Sequence, residues 1–536
     1  MSDSQRDAVY AIYRDLLEFS SQKSEAEWSR GRKTLLQALE SLSSAGPAVP
    51  ASGKLPAAAK AVDPDRVSLP AVAGVLTPED HLEPRLAEIL RTLRKIEVPS
   101  SELPRHLPGS CHWISEVDEG VLRERLVDSG MVEFIPFDSV PHDRYGRKLV
   151  SGLFTVEHKA ESDRLIIDRR ALNAGEHRLK WCTLPHGSLL TQIRLGPGEV
   201  LRGSGDDLSN YFYLLSNPPN WRHRCAIGRP FYGRELPGSG LASDERFFLG
   251  LKVWAMGDHN SVDVAQVTHE HILANAGGLR KGEQLVYGKP VGRGKTFEGV
   301  YIDDHLVVGV VPREVADDPG SNHDSVLLEA SREAYAKLGL PCSKSKSFTR
   351  ATRFTAWGTE VDGISGKCGA PVERRVQLFM LTCLTLALGR VSKALMSSLL
   401  GSYVHPFCHR RELMSIFGTS FRWCSRLPER GSCWLPAAVC DELLAAAVHL
   451  PLAEVNLRDP ISTKIHFADA TPTGGGSVSS LVSRDLAEGL YDFGEHKGNY
   501  VRLDWGPVSW SLREWTDREL PPRIEKGSSM CKLACR

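Results

Sequence analysis

The residues best suited to chemistry are two adjacent carboxylates, Asp303 and Asp304, which follow Tyr301 and Ile302. Apolar runs flank them on both sides, at 299–300 and 306–311. Adjacent acids among strand-forming residues are costly to bury unless something compensates their charge. The pattern therefore predicts a β-hairpin whose tip holds the acids around a divalent cation such as magnesium, which prefers oxygen ligands. A solvated Asp-Asp turn is the alternative, but such turns seldom have these flanks.

A second acidic pair, Asp206 and Asp207, lies upstream in the segment 205–213. Two-metal phosphoryl transfer requires carboxylates from separate strands, so that ions about 3.5–4 Å apart bridge the attacking and leaving oxygens. The two acidic pairs together predict a site of this kind. Either Asp206 or Asp207 could supply the upstream ligand, and an ordinary Asp-rich turn is the alternative.

Six motifs around these acids, in family order, resemble the fingers and palm of reverse transcriptases. They are a fingers-strand pattern at 164–173, Asp207 with Phe212, Met256-Gly257 through Gln266, a YxDD box at 301–304, residues 338–346, and Phe354 to Val361 with Trp357-Gly358. Two features differ from the family pattern. Met256 stands where the family usually has Gln, and residues 201–205 are not the apolar run that normally precedes the first palm acid.

The resemblance implies a role for each matching residue. Asp207 is favoured over Asp206 because it is followed by Leu208 and places Phe212 at the family's sugar-contacting position. Asp207, Asp303 and Asp304 would hold two Mg²⁺ ions, with Mn²⁺ as a possible substitute. The other implied roles are phosphate binding by Lys159 and Arg164, nucleotide contact by Phe212, Met256 and Gly257, general acid catalysis by Lys344 or Lys346, and a primer grip at Trp357 and Gly358. An aromatic ring at 212 would exclude a 2′-hydroxyl, which favours DNA synthesis over RNA synthesis.

Near the end of the chain, residues 467–476 resemble the opening strand and Gly-rich turn of an RNase H domain. Asp469 is the matching candidate metal ligand. A complete site of that family needs three or four carboxylates, and no other acid here lies in a recognisable motif. We therefore expect an incomplete, RNase H-like α/β unit with doubtful nuclease activity. An unrelated strand-turn-strand is the alternative.

Length and composition set limits on the class of protein. The chain has 536 residues with 66 Lys+Arg and 66 Asp+Glu, which is typical of folded domains and not of a charged disordered tail. The twelve cysteines form no CxxC pair, and the start lacks a signal-peptide core, so we expect an intracellular protein, cytoplasmic or nuclear and not secreted. The most apolar stretch, 376–389, is shorter than the roughly 20 residues that span a bilayer.

The alternation of strand-like and helical segments predicts an α+β chain. The resemblance implies a right-hand polymerase fold of fingers, palm and thumb. The expected parts are a helical N-terminal region at 1–44, an Ala/Pro-rich linker at 45–73, accessory helices at 74–130, fingers and palm at 131–370, a helical thumb or connection at 371–458, and the partial RNase H-like unit at 459–536. The periodicity of apolar residues predicts two helices within 5–44 and further helices at about 78–96, 117–130, 262–274 and 325–338. A strand-turn-strand is expected at 463–481.

The resemblance implies an RNA-directed DNA polymerase of a retrotransposon, similar to LTR-type and DIRS-like elements. Its partners would be an RNA template, a DNA or RNA primer duplex and dNTPs, without a membrane. One alternative is a catalytically decayed, reverse transcriptase-like module that only binds RNA. Another is an RNA-templated RNA polymerase.

Overall fold

The computed structural model describes residues 59–92, 95–99, 102–159, 161–318, 322–470 and 474–492. The chain divides into two units, Met1–Phe493 and Gly494–Arg536, and the second lies outside the described residues. The predicted N-terminal helices at 5–44 and most of the linker also lie outside them. The described part of the linker does not match its prediction, because Val62 and Val67 are buried in a hydrophobic core.

The N-terminal part consists of short strands and helices around that core. Its elements are β1 (Ala59–Lys60), α1 (Pro84–Arg91), α2 (Glu116–Asp128), β2 (Val132–Pro136), β3 (Gly152–Lys159), β4 (Ser162–Asp168) and α3 (Arg170–Asn173). Strands β1, β3 and β4 form an antiparallel sheet. The helix predicted at 78–96 is wrong in extent: it begins only at Pro84, because proline suits the first turn and not a helix interior.

The middle of the chain is built on a four-stranded antiparallel sheet, which we call the central sheet. The elements from 199 to 351 are β5 (Glu199–Asp207), α4 (Tyr211–Leu214), β6 (Ala226–Tyr232), β7 (Arg246–Leu251), α5 (Ser261–Asn275), β8 (Thr296–Tyr301), β9 (Asp304–Pro312), α6 (His323–Leu338) and β10 (Phe348–Ala351). The order in the central sheet is β10-β5-β9-β8, while β2, β7 and β6 form a separate sheet. The predicted hairpin at 299–311 and helices at 262–274 and 325–338 are confirmed within a few residues.

Side chains that alternate between the two faces of the central sheet contribute to two separate buried regions, one on each face. Leu306, Val308 and Val310 pack with Leu201 and Phe354 in one hydrophobic cluster. His305, which directly precedes Leu306, lies instead near the rings of His269 on α5 and Tyr335 on α6. Because successive side chains of a strand point to opposite faces, both faces of the central sheet are packed against other parts of the unit. This packing holds the strand ends in position.

The predicted helical segment at 371–458 is largely confirmed. Its helices are α7 (Val372–Leu388), α8 (Lys393–Phe407), α9 (Gly418–Ser425) and α10 (Ala437–His449), which share one core. The short strands around them are β11 (Arg353–Ala356), β12 (Thr359–Asp362), β13 (Lys367–Gly369), β14 (Arg390–Val391), β15 (Cys433–Trp434) and β16 (Glu454–Asn456). No helix among the described residues is long and apolar enough to cross a membrane.

The described chain ends with β17 (Lys464–Ala470), β18 (Gly475–Leu481) and α11 (Arg484–Asp492). The two predicted strands are confirmed and pair with each other, with Asp469 opposite Gly476. Helix α11 is held to the rest of the unit by Arg293, whose Nη2 lies 2.7 Å from an Asp492 carboxylate oxygen, and by Arg194.

Candidate functional site

The turn between β8 and β9 contains only Ile302 and Asp303, because Tyr301 and Asp304 pair directly across the hairpin. Ile302 has φ = 59°, a left-handed conformation that is unfavourable for a β-branched residue. Side chains of α5 hold its backbone on both sides. Gln266 Oε1 accepts from the Ile302 amide at 2.6 Å, and His269 Nδ1 lies 2.8 Å from the Ile302 carbonyl oxygen. Packing against α5 therefore fixes a conformation that the turn would not adopt alone.

The register of β5 against β9 brings the two acidic pairs together. Nine residue pairs run from Glu199–Pro312 to Asp207–Asp304, so the upstream and downstream acids meet at one end of the central sheet. The Leu208 amide donates to the Asp303 carbonyl oxygen at 2.9 Å, which continues the pairing into the turn. Asp207 therefore forms one acidic cluster with Asp303 and Asp304, although it lies far upstream of them in the sequence.

Strand alternation separates Asp206 from this cluster. Its buried carboxylate receives two hydrogen bonds from Arg332 of α6, at 2.8 and 3.0 Å. Adjacent strand residues point to opposite faces, so Asp206 faces α6 while Asp207 lies on the side of the turn acids. Of the two candidates, only Asp207 belongs to the acidic cluster.

The electrostatics of the cluster show that the negative charges are incompletely compensated. Burial, followed by the charge of Asp207, raises the pKa of Asp303. Burial and the charges of Asp303 and Asp207 raise the pKa of Asp304 to about 7. Lys346 Nζ lies 2.5 Å from Asp207 Oδ2, and although burial opposes its charge, contact with Asp207 raises the pKa of Lys346. One ammonium faces three carboxylates, so additional positive charge would be stabilised here.

The donor atoms of the cluster fit a hard divalent cation. Carboxylate oxygens are the ligands that Mg²⁺ prefers, and the repulsion among them is what a cation would relieve. Among the described residues, no three His, Cys, Asp or Glu side chains are arranged as a metal cage. Mg²⁺ is usually bound through one or two carboxylates together with water and substrate phosphates, so such a cage is not required.

The polar composition of β5, which differs from the family pattern, has a structural explanation. A Cβ atom at Gly203 would lie 2.7 Å from the Phe354 ring, and one at Gly205 would lie 2.6 Å from the Phe348 ring. The two rings thus supply the apolar surface that β5 lacks. The fully buried Arg202 is neutralised by Asp324, which accepts from its guanidinium at 2.7 and 2.9 Å.

The predicted phosphate-binding residues lie on the β3–β4 hairpin. Arg164 is exposed, and its guanidinium lies 3.0 Å from His158 Nε2. The charge of Arg164 acts to lower the pKa of Asp303, which places it within electrostatic range of the acidic cluster. Lys159 ends β3, and its side chain lies outside the described part of the structure.

Phe212 lies on α4 between two buried tyrosines. The Tyr211 hydroxyl donates to the Ala265 carbonyl oxygen at 3.2 Å, and the Tyr213 hydroxyl donates to the Leu165 carbonyl oxygen at 3.1 Å. These contacts fix the short helix and leave the Phe212 ring only half-buried. Phe212 is therefore not a fully enclosed core ring, and part of its surface is available for contact.

The predicted motif at Met256 and Gly257 packs directly on β4. The Ile167 amide donates to the Met256 carbonyl oxygen at 3.1 Å. Asn173 Nδ2 donates to the Gly257 carbonyl oxygen at 2.8 Å. Gly257 has φ = 114°, and a Cβ atom there would lie 1.9 Å from the Ile167 carbonyl oxygen. Glycine is therefore required where this segment crosses the strand that carries Arg164.

Trp357 and Gly358 form the two-residue turn between β11 and β12, with φ of 47° and 72°. The Trp357 ring covers Gly299 of β8, while a Cβ atom at Gly358 would lie 2.7 Å from His405 Nε2 of α8. The turn therefore joins the central sheet to the helical segment. Lys344 is exposed in the segment that also carries Lys346, but only Lys346 has a described contact with the acidic cluster.

Asp469 is exposed on β17 and is not part of the acidic cluster. Phe467 and Val478, which pair across the same hairpin, are 47% and 68% exposed, so this two-stranded sheet has little apolar cover among the described residues. The metal-binding role of Asp469 stays a prediction.

The sequence reasoning did not identify His269 and Tyr335 as part of the site. His269 Nε2 lies 2.8 Å from the Tyr335 hydroxyl, which links α5, α6 and the Ile302 turn. Burial lowers the pKa of His269 to about 3, so its ring is neutral near pH 7. No local pattern could have revealed this link, since it depends on the packing of two helices.

No protein-family model matches the sequence, and the search of curated proteins finds no match. Among solved structures, the chain is similar to a foamy viral protease-reverse transcriptase with double-stranded DNA, with 13% identity, 85% of this chain and 78% of that chain covered, and a TM-score of 0.46. A foamy viral protease-reverse transcriptase with an RNA/DNA hybrid has 14% identity, with 77% of this chain and 55% of that chain covered and a TM-score of 0.44. A foamy viral protease-reverse transcriptase with double-stranded DNA has 13% identity, with 97% of this chain and 94% of that chain covered and a TM-score of 0.45. These values are too low to assign a function.

Proposed function

We propose that this chain is an RNA-directed DNA polymerase that uses two metal ions to transfer nucleotides from dNTPs to a primer 3′-hydroxyl. The observation that supports it most is the register that pairs Asp207 with Asp304 and places Asp303 in the adjoining turn. Strands β5 and β9 and the turn before β9 thus bring Asp207, Asp303 and Asp304 together at one end of the central sheet, and two-metal phosphoryl transfer requires such acids from separate strands.

In this proposal the three acids would hold the two Mg²⁺ ions, for which Mn²⁺ could substitute. When bound, the ions supply charge neutralisation and a more acidic 3′-hydroxyl. Arg164 and Lys159 bind the triphosphate, since a guanidinium offers paired donors to phosphate oxygens. Lys346, which lies beside Asp207, would be the general acid that gives a proton to the leaving phosphate, and Lys344 is the alternative. Cations bound at Asp207 would require Lys346 to leave that carboxylate.

The surrounding residues would position the primer and the nucleotide. The half-buried Phe212 ring contacts the sugar and rejects a 2′-hydroxyl, while Met256 and Gly257 support the nucleotide beside β4. Trp357 and Gly358 hold the primer end against the helices at 371–458, which act as the thumb. The segments are then fingers and palm followed by a thumb, with the RNase H-like unit around Asp469 after them.

A retrotransposon origin is part of the proposal, because the RNase H-like segment follows the polymerase motifs as in LTR-type and DIRS-like elements. The partners would be an RNA template, a primer duplex and dNTPs, in the cytoplasm or nucleus. RNase H activity is not proposed, since only Asp469 matches that family.

Extension of an oligo(dT) primer on poly(rA) with dTTP, with and without Mg²⁺, tests the proposal. We expect Mg²⁺-dependent extension by the wild type and a loss of at least about a thousandfold for Asp303→Asn. Asp244→Asn is a matched control, because Asp244 is 93% exposed and lies outside the acidic cluster. Salt-sensitive RNA binding without incorporation at any Mg²⁺ concentration would favour the decayed binding module instead.

A further inference from the structure

We infer that His269 and Tyr335 are positioning residues that hold the Ile302–Asp303 turn in its metal-binding conformation. The inference deepens the proposed function and rests on it. It starts from the strained backbone of Ile302, whose φ of 59° is a left-handed conformation that is unfavourable for a β-branched residue. Such a conformation persists only where the surrounding structure enforces it.

The hydrogen-bond geometry fixes which atom of His269 carries the proton. A carbonyl oxygen only accepts, so Nδ1, 2.8 Å from the Ile302 oxygen, must be the donor. In the neutral ring Nε2 is then an acceptor, and the Tyr335 hydroxyl at 2.8 Å donates to it. Tyr335 therefore selects the tautomer that binds the turn.

Aromatic packing prevents the His269 ring from moving away. Its centroid lies 5.4 Å from Tyr211, 5.5 Å from Tyr335 and 6.3 Å from His305, and His269 is fully buried. These rings come from α4, α6 and β9, while His269 itself belongs to α5. The position of the Ile302 carbonyl is thus tied to four elements, and the adjacent Asp303 lies within electrostatic range of Asp207.

Two substitutions remove this link with little change in shape. His269→Phe retains an aromatic ring but removes the donor to Ile302, and Tyr335→Phe removes only the hydroxyl that orients His269. Tyr403→Phe is the matched control, because Tyr403 is equally buried and loses one hydroxyl contact, 2.7 Å from Thr382, in the remote helical core. Thermal unfolding of each variant shows whether it is folded.

The direct readout is Mn²⁺ binding to the full chain, measured from the electron paramagnetic resonance signal of free Mn²⁺. We expect the Mn²⁺ dissociation constant to rise about five- to tenfold in His269→Phe, and less in Tyr335→Phe, since one hydrogen bond is removed. Tyr403→Phe should bind as the wild type does. Unchanged binding in a folded His269→Phe protein, or a wild type that binds no Mn²⁺, would overturn the inference.

A second background separates positioning from general destabilisation. Asn adopts positive φ more readily than Ile, so Ile302→Asn should reduce the need for the link. His269→Phe should then weaken Mn²⁺ binding less than about twofold in the Ile302→Asn background, and equal losses in both backgrounds would contradict the inference. Primer extension is measured in parallel. If the Mn²⁺ dissociation constants change as expected but no variant and no wild-type protein extends a primer, the proposed polymerase function is refuted and the positioning role is not.

Discussion

Exchanging each of the neighbouring acids Asp206 and Asp207 for Asn should have opposite consequences. The two residues are chemically identical and adjacent, yet Asp206 is paired with Arg332 on one face and Asp207 meets Asp304 on the other. Asp206→Asn should therefore reduce stability and leave the activity of the folded protein intact. Asp207→Asn should abolish activity with little effect on stability.

The size of the stability effect follows from burial. Removing one member of a buried ion pair costs about 3–5 kcal/mol. The Arg332 side chain is 39% exposed and can be hydrated, and an Asn oxygen can still accept one hydrogen bond. We therefore expect Asp206→Asn to lower the free energy of unfolding by about 2 kcal/mol.

For Asp207→Asn the opposing charge terms nearly cancel. Unit charges about 4 Å apart interact by roughly 4 kcal/mol at an effective dielectric constant of 20. Loss of the attraction by Lys346 and relief of the repulsion by Asp303 and Asp304 act in opposite directions and are of the same order. The change in unfolding free energy should therefore stay within about 1 kcal/mol of zero. Primer extension should fall at least about a thousandfold.

Urea unfolding followed by circular dichroism, together with primer extension per folded molecule, measures both quantities. The reasoning would be refuted by an Asp206→Asn protein that folds normally but is inactive, or by an active Asp207→Asn protein. Either result would mean that the wrong acid had been assigned to the acidic cluster.

Three further predictions concern the surroundings of the site. Gly257→Ala should lower the free energy of unfolding by more than about 2 kcal/mol in urea unfolding, because the added Cβ would overlap the Ile167 carbonyl oxygen. Gly146→Ala is the control, since Gly146 also has positive φ but lies in open space, and it should cost less. Phe212→Ala should raise incorporation of rNTPs relative to dNTPs in primer extension, and an unchanged preference for rNTPs would instead indicate an RNA polymerase. Burial opposes ionisation of Glu119, yet hydrogen bonds from His112 and Arg229 hold its pKa below the usual value. The stabilisation by ionised Glu119 is thus fully present above its unfolded-state pKa and is lost as the pH falls through its folded-state pKa. In urea unfolding at a series of pH values, Glu119→Gln should therefore make the free energy of unfolding fall less steeply toward acid pH.

Local sequence patterns predicted the elements whose apolar residues and turn residues all lie within one continuous segment. The β8–β9 hairpin has apolar arms and a two-residue turn, and α5 matches its predicted helix to within a residue at each end. The helix expected at 78–96 failed where Pro84 interrupts an otherwise good apolar period. In that case a single backbone constraint outweighed the side-chain pattern.

Strand β5 shows what the sequence could not predict. Its Arg202, Gly203 and Gly205 give no strand signal, because the apolar surface above them comes from Phe348 and Phe354. The choice of Asp207 over Asp206 became a structural result only once the register with β9 was known. The roles of His269 and Tyr335 likewise depend on contacts between α5 and α6.

The central claim is that Asp207, Asp303 and Asp304 together bind the cations of the reaction. Anomalous diffraction from crystals containing Mn²⁺, primer-template and dNTP tests it most directly. We predict two peaks about 3.5–4 Å apart beside Asp207, Asp303 and Asp304, with Lys346 displaced from Asp207. Crystals with nucleotide bound, no Mn²⁺ at these acids and Lys346 still on Asp207 would contradict the claim.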